Sequence, residues 1–92
     1  MRAARTDDNQ REIVKVLRVA GATVRLMHRV GQGFPDLIFS WRGRIYLAEV
    51  KNAALGWKLT EPQKLFRAEW PEPILIFDSV DTVIGWLKTN GN

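Results

Sequence analysis

The stretch Asp36-Leu37-Ile38-Phe39-Ser40-Trp41-Arg42-Gly43-Arg44-Ile45-Tyr46-Leu47-Ala48-Glu49-Val50-Lys51 decides how this chain folds. Two runs rich in β-branched and aromatic residues flank the segment Trp41 to Arg44, which reads as a hairpin turn. Side chains alternate along a strand, so Ile45, Leu47, Glu49 and Lys51 leave one face while Val50 points the other way. The expectation is an apolar stripe that ends in a carboxylate and an ammonium. Ionised groups are costly in that setting unless paired or metal-bound. A tight hairpin also sets the start of the first strand beside the end of the second. Asp36 should therefore converge with Glu49 and Lys51 at one edge of the sheet.

Outward from the hairpin, Val30-Gly31-Gln32-Gly33-Phe34-Pro35 is a glycine-rich connection. Before it, Thr23 to His28 alternates as a short strand with Val24 and Leu26 on one side. A first helix is expected to begin near Thr6 to Asn9, all capping residue types. Ile13, Val16, Leu17 and Ala20 recur at helical spacing as its buried face, and Gly21 is a natural stop. Downstream, Asn52 to Leu59 has no clear period and reads as a loop. Thr60-Glu61-Pro62-Gln63 is a helix start, with Thr60 as N-cap and Gln63 at the capping-box position. That helix should end by Trp70, because Pro71 and Pro73 forbid continuation. Ile74 to Phe77 reads as a buried strand. Asp78 or Ser79 then caps a last helix with Val80, Val83, Ile84 and Leu87 inward, weakened by about 1 kcal/mol at Gly85.

The expected order is α-β-β-β-α-β-α. A three-stranded meander followed by a helical crossover gives a mixed sheet flanked by helices, in the α/β class. No repeat, linker or low-complexity segment interrupts the chain, and residues 1–92 read as one domain.

Composition narrows the function classes. The 92 residues are 46% hydrophobic and 26% charged, the profile of an ordinary soluble globular protein. No apolar run approaches the roughly 20 residues that a membrane span needs. The first residues carry arginines with no apolar stretch behind them, unlike a secretory signal. The absence of cysteine excludes disulfides, thiolate metal sites and a cysteine nucleophile. A cytoplasmic setting is expected. The net charge of +4 favours an anionic partner, of which nucleic acid is the commonest. The basic residues are nevertheless scattered, with no Lys/Arg block of the kind a nucleic-acid-binding tail carries.

Two carboxylates and a lysine at one sheet edge suit phosphodiester hydrolysis. Hard oxygen donors select Mg²⁺ or Mn²⁺, with waters completing the shell. Such an ion lowers the pKa of a bound water and stabilises charge developing on phosphorus. A nearby lysine can orient or deprotonate the attacking water. The competing reading is a surface Glu-Lys pair beside an unrelated Asp in a turn.

At this point a resemblance enters. Gly33-Phe34-Pro35-Asp36-Leu37-Ile38, Leu47-Ala48-Glu49-Val50-Lys51 and Leu59-Thr60-Glu61-Pro62-Gln63 together resemble the VRR-Nuc domain of the PD-(D/E)xK nuclease superfamily, over nearly the whole chain. The resemblance implies a restriction-endonuclease-like αβββαβ core, here with an added C-terminal helix, and Mg²⁺- or Mn²⁺-dependent cleavage of DNA. It implies that Asp36 and Glu49 ligate the metal, with the Val50 carbonyl as third ligand and Lys51 as catalytic lysine. Gln63 would join the catalytic group, and Glu12 of the first helix would complete the metal environment directly or through water. Stand-alone VRR-Nuc domains of this size occur in bacteria and phages and are similar to homodimeric enzymes acting on four-way (Holliday) junctions. DNA repair is the setting this implies, with flap-type or non-specific cleavage and a non-catalytic DNA-binding module as alternatives.

Other residues carry two readings each. Glu12 could instead be the capping-box partner of Asn9, and Gln63 could serve only the cap of its own helix. Gly31 and Gly33 suit a plain turn or the close approach of a DNA backbone. Lys58 sits beside Trp57, and Arg42 and Arg44 beside Trp41, in basic-aromatic mixtures that suit phosphate contact and base stacking. The same tryptophans could cover a core or, with Trp70 and Trp86, form a dimer contact. Lys64 and Arg67 could contact phosphate or lie on a solvated helix face. His28, the only histidine, reads as a strand-end or surface residue.

Overall fold

The computed structural model describes residues 4–91. Its elements are α1 (Ala4–Val19), β1 (Thr23–Leu26), β2 (Leu37–Trp41), β3 (Arg44–Val50), α2 (Glu61–Glu69), β4 (Leu75–Phe77) and α3 (Val80–Asn90), with a 3₁₀ turn at Ala53–Leu55. The element order is the expected one. The sheet has four strands in the order β1-β2-β3-β4. β1 pairs antiparallel with β2 and β2 with β3, while β4 returns parallel to β3. No helix among the described residues is long and apolar enough to cross a membrane.

The hairpin follows the turn chemistry of its sequence. Arg42 and Gly43 both have positive φ, 51° and 80°, between the paired residues Trp41 and Arg44. Two positive φ values in a two-residue loop make a type I′ turn, whose twist matches the strands it joins. This fixes Leu37 opposite Ala48. Asp36, one residue before Leu37, therefore lies level with Glu49.

One face of the sheet is the core. Val24, Leu37, Phe39, Trp41, Ala48, Val50 and Phe77 are buried there under Ile13, Val14 and Leu17 of α1 and Val83 of α3. Trp86 of α3 contacts the rings of Phe39, Trp41, Tyr46 and Phe77, with centroids 4.8–5.9 Å apart. The other face is covered at one end only. α2 meets it there through Phe34, whose ring is 5.3 Å from Phe66 in an edge contact.

Several expectations are corrected by this packing. Ile45 is 73% exposed, because α2 reaches the Glu49 end of β3 and not the hairpin end, so the apolar stripe is reduced to Leu47. Helix α1 starts at Ala4, which puts Asn9 inside the helix rather than at its cap, and Ala20 lies in the exposed turn that follows Val19. β1 ends at Leu26, itself 46% exposed, and His28 is in the exposed turn beyond. Val83 is fully buried, while Ile84 is 37% exposed, because the sheet lies against the Val83–Trp86–Leu87 side of α3. Trp41 is a core residue whose Nε1 donates to the Ala20 carbonyl at 2.9 Å, and Trp86 packs on the same core. Trp41, being buried, offers no ring face for base stacking.

Gly33 has a structural reason to be glycine. Its φ is +80°, and a Cβ there would lie 2.1 Å from the Pro62 carbonyl oxygen, so the connection before β2 presses directly on the start of α2. Gly31 has φ +75° but open space around it. Gly33→Ala is expected to destabilise by about 3 kcal/mol, combining left-handed strain with overpacking, and Gly31→Ala by about 1 kcal/mol from strain alone. Urea denaturation of both variants checks this order; equal losses would contradict the contact assigned to Gly33.

Candidate metal and phosphodiester site

The register and the turn before β2 bring the two acids together. The Val50 N–H donates to Asp36 Oδ2 at 2.9 Å, fastening the head of β2 to the end of β3. Glu49 is 4% exposed and is the buried charged residue among the described residues. Its Oε2 accepts a hydrogen bond from Gln63 Nε2 at 2.8 Å. Gln63 Oε1 in turn accepts from Lys51 Nζ at 2.9 Å. One side chain on the first turn of α2 thus joins the carboxyl group and the ammonium.

Gln63 does this while capping its own helix. Its Oε1 also accepts from the Thr60 N–H at 2.9 Å, and its N–H donates to Thr60 Oγ1 at 3.3 Å. The capping box is complete. The cap of α2 and the link between Glu49 and Lys51 are made by the same amide, since a carbonyl oxygen takes two donors and the NH₂ remains for Glu49.

Burial pushes the Glu49 carboxyl up from its ordinary value of 4.5 to about 8, and the hydrogen bond to Asp36 and its charge push the same way. Lys51 and Arg67 act in the opposite direction. Two acids held this close cannot both ionise cheaply without a compensating cation. At neutral pH the pair therefore keeps a proton that a divalent ion would displace.

Asp36, Glu49, Val50 and Lys51 line a cavity of about 840 Å³ at the carboxyl end of β3. Gln10, Arg11, Leu26, His28, Asn52, Leu55 and Trp57 complete its wall. The donor set fits a hard divalent cation: two carboxyl groups at adjacent strand ends, with a cavity large enough for the waters that Mg²⁺ retains. Among the described residues no group of three or more His, Cys, Asp and Glu gathers to hold a metal. Any such ion would rest on Asp36 and Glu49, with water and backbone oxygen for the remainder.

The other sequence candidates fall elsewhere. Glu12 is exposed and lines a separate hollow along α1 rather than the Asp36–Glu49 cavity. Arg67 is held inside, with Nη1 donating to the Ile74 carbonyl at 3.1 Å and Nη2 buried, so it supports the charge balance under Glu49 instead of meeting phosphate at the surface. Lys64 is on the solvent side of α2, 3.3 Å from Glu61, and Lys58 is exposed in the loop before α2. Arg42 and Arg44 belong to the hairpin, at the opposite end of β3 from the cavity.

The sequence alone does not mark Asn9 and Arg11 as site residues, and it marks Trp57 only for stacking, core covering or dimer contact. Asn9 Nδ2 donates to the carbonyls of Lys51 and Asp78 at 2.6 and 3.2 Å, tying α1 to the ends of β3 and β4. A poor helix former in mid-helix was the available signal. Trp57 Nε1 donates to Asp78 Oδ2 at 3.0 Å, which fixes the loop over the cavity. Arg11 brings a cation to the cavity wall from α1, a placement that required the tertiary fold.

No family model matches this chain, and neither does any curated protein or solved structure.

The Glu49 shift gives a signed pH dependence. Without divalent cation the folded chain holds the Glu49 proton up to about pH 8, whereas the unfolded chain releases it near 4.5. The stability this contributes is fully present below pH 4.5 and is lost as pH rises through 8. Melting temperatures in EDTA should therefore fall between about pH 5 and 8 for the wild type relative to Glu49→Gln. Parallel profiles for the two proteins would contradict the assigned environment.

Proposed function

We propose that this chain is a Mg²⁺- or Mn²⁺-dependent DNA endonuclease of the PD-(D/E)xK type. The observation that carries the reading is the pairing of buried Glu49 with half-buried Asp36, joined through Gln63 to Lys51. A pure DNA-binding module has no use for paired acids that repel phosphate. Support for the restriction-endonuclease-like fold comes from the element order, an antiparallel β1-β2-β3 meander and a parallel β4 reached through α2.

Asp36 and Glu49 would hold the ion, with the Val50 carbonyl as the further oxygen that the resemblance implies. When bound, the ion supplies Lewis-acid polarisation of a phosphate oxygen and acidification of a water. The chain's own groups do the positioning. Gln63 restrains Glu49 and Lys51 together, so the ammonium is aimed by a fixed partner rather than left on a free four-carbon stem. Lys51 then orients the attacking water and stabilises negative charge on the phosphoryl oxygens. Arg11 adds a second cation at the cavity wall.

The resemblance extends this reading to four-way junctions cut by a homodimer acting in DNA repair in the bacterial cytoplasm, or the host's if phage-encoded. Paired cleavage of opposed strands needs two active sites, and each chain supplies one, so two-fold symmetry follows from that substrate.

Incubation with labelled linear duplex, flap and four-way junction DNA tests the proposal. Cleavage should require Mg²⁺ or Mn²⁺ and fall at least about a hundredfold in Lys51→Ala, the scale of losing a positioned proton-handling group. Gln63→Ala should lose part of that activity. Cleavage in EDTA, or full activity in Lys51→Ala, would refute the assignment. Equal cutting of all three substrates would refute only the junction preference.

A further inference from the structure

A second hollow, of about 600 Å³, runs along α1 and is lined by Gln10, Arg11, Glu12, Val14, Lys15, Arg18, Val19 and Leu26. Gln10, Arg11 and Leu26 also line the Asp36–Glu49 cavity, so the two depressions adjoin. Its charge is one-sided, with Arg11, Lys15 and Arg18 against the single acid Glu12. All four charged side chains belong to exposed residues. Arg11, Lys15 and Arg18 recur at spacings of four and three, which places them in one row on the helix. The row rises about 10 Å along the helix axis from Arg11 to Arg18. That matches the rise of about three base pairs of B-DNA at roughly 3.4 Å each.

We infer that this hollow is a phosphate track, in which Arg11, Lys15 and Arg18 grip the sugar-phosphate backbone of duplex DNA leading away from the Asp36–Glu49 cavity. The assignment of DNA as the occupant rests on the nuclease reading. Arg11 joins the two depressions, lining both and bringing the basic row to the wall of the cavity where the cut would occur. The acids alone would repel a polyanion. A row of cations beginning at the cavity wall supplies the attraction that carries the backbone up to them. Arg18 is partly fixed for the task, its Nη2 donating to the Val24 carbonyl at 3.1 Å. Arg11 contacts Asp8, an exposed partner that phosphate can replace. Glu12 opposes the track, which sets the sign of its own substitution.

The test measures binding without metal, so it does not depend on cleavage. Anisotropy of a labelled duplex of about 25 base pairs, longer than the track on either side, is followed in EDTA over a range of salt. The proteins are wild type, Arg11→Gln/Lys15→Gln, and the charge-matched control Arg44→Gln/Lys88→Gln. Each phosphate contact contributes about 0.9 to the slope of log affinity against log salt, so the track double variant should be shallower by about 1.8 and the control unchanged. Glu12→Gln should bind several-fold more tightly than wild type. Equal slopes in the two double variants, weaker binding by Glu12→Gln, or no salt-sensitive binding by wild type would overturn the track. Absence of metal-dependent cleavage by the wild type, with these slopes as predicted, would instead overturn the nuclease reading and leave a DNA-binding surface.

Discussion

Burying Glu49 against Asp36 imposes a cost that the surrounding elements are arranged to offset. A carboxyl group at 4% exposure, next to a second one, is expensive unless its oxygens are bonded and its charge answered. The answer comes from three directions. Gln63 donates to Glu49 Oε2 from the first turn of α2, Lys51 stands two residues on, just past the end of β3, and Arg67 lies beneath with its guanidinium held at the Ile74 carbonyl. The Gln63 and Arg67 contributions require α2 to lie on the Glu49 face. That placement in turn requires Gly33, because a Cβ at this position would collide with the Pro62 carbonyl.

The two faces of the sheet therefore have different duties. The α1–α3 face holds the aromatic and aliphatic core, with Phe39, Phe77 and Trp86 at its centre, and supplies most of the apolar burial. The α2 face holds the acids and is covered only where they sit. Asn9 and Trp57 link the two regions at the strand ends, through the carbonyls of Lys51 and Asp78 and the carboxylate of Asp78. The cavity is consequently built on ends of regular elements and on a loop pinned at Trp57. Elements of that kind hold reacting groups more closely than free loops do.

Much of this was legible in the sequence because the decisive signals are local. The Arg42-Gly43 turn sets the register of β2 and β3, and register alone brings Asp36 level with Glu49. Thr60 to Gln63 announces both its helix and its cap. What escaped was set by packing at a distance. Ile45 and Leu47 are alike in sequence, yet only Leu47 lies under cover, a difference decided by how far α2 reaches. Trp41 sits next to basic residues in the chain and against Ala20 in space. Arg67 has the helical position of a surface cation, but the charge of Glu49 and the carbonyl of Ile74 draw it inward. Glu12 and Arg11 are neighbours in sequence, and only Arg11 reaches the wall of the Asp36–Glu49 cavity.

Under the proposed function, Asp36 and Glu49 together would hold a cation in place of the proton that they share without one. Calorimetric titration of Mn²⁺ into the protein at about pH 7, repeated in buffers of different ionisation enthalpy, measures both the binding and the proton it displaces. One ion per chain, release of close to one proton on binding, and loss of both in Asp36→Asn are expected. Binding that persists in Asp36→Asn, or that releases no proton from the wild type, would contradict this exchange.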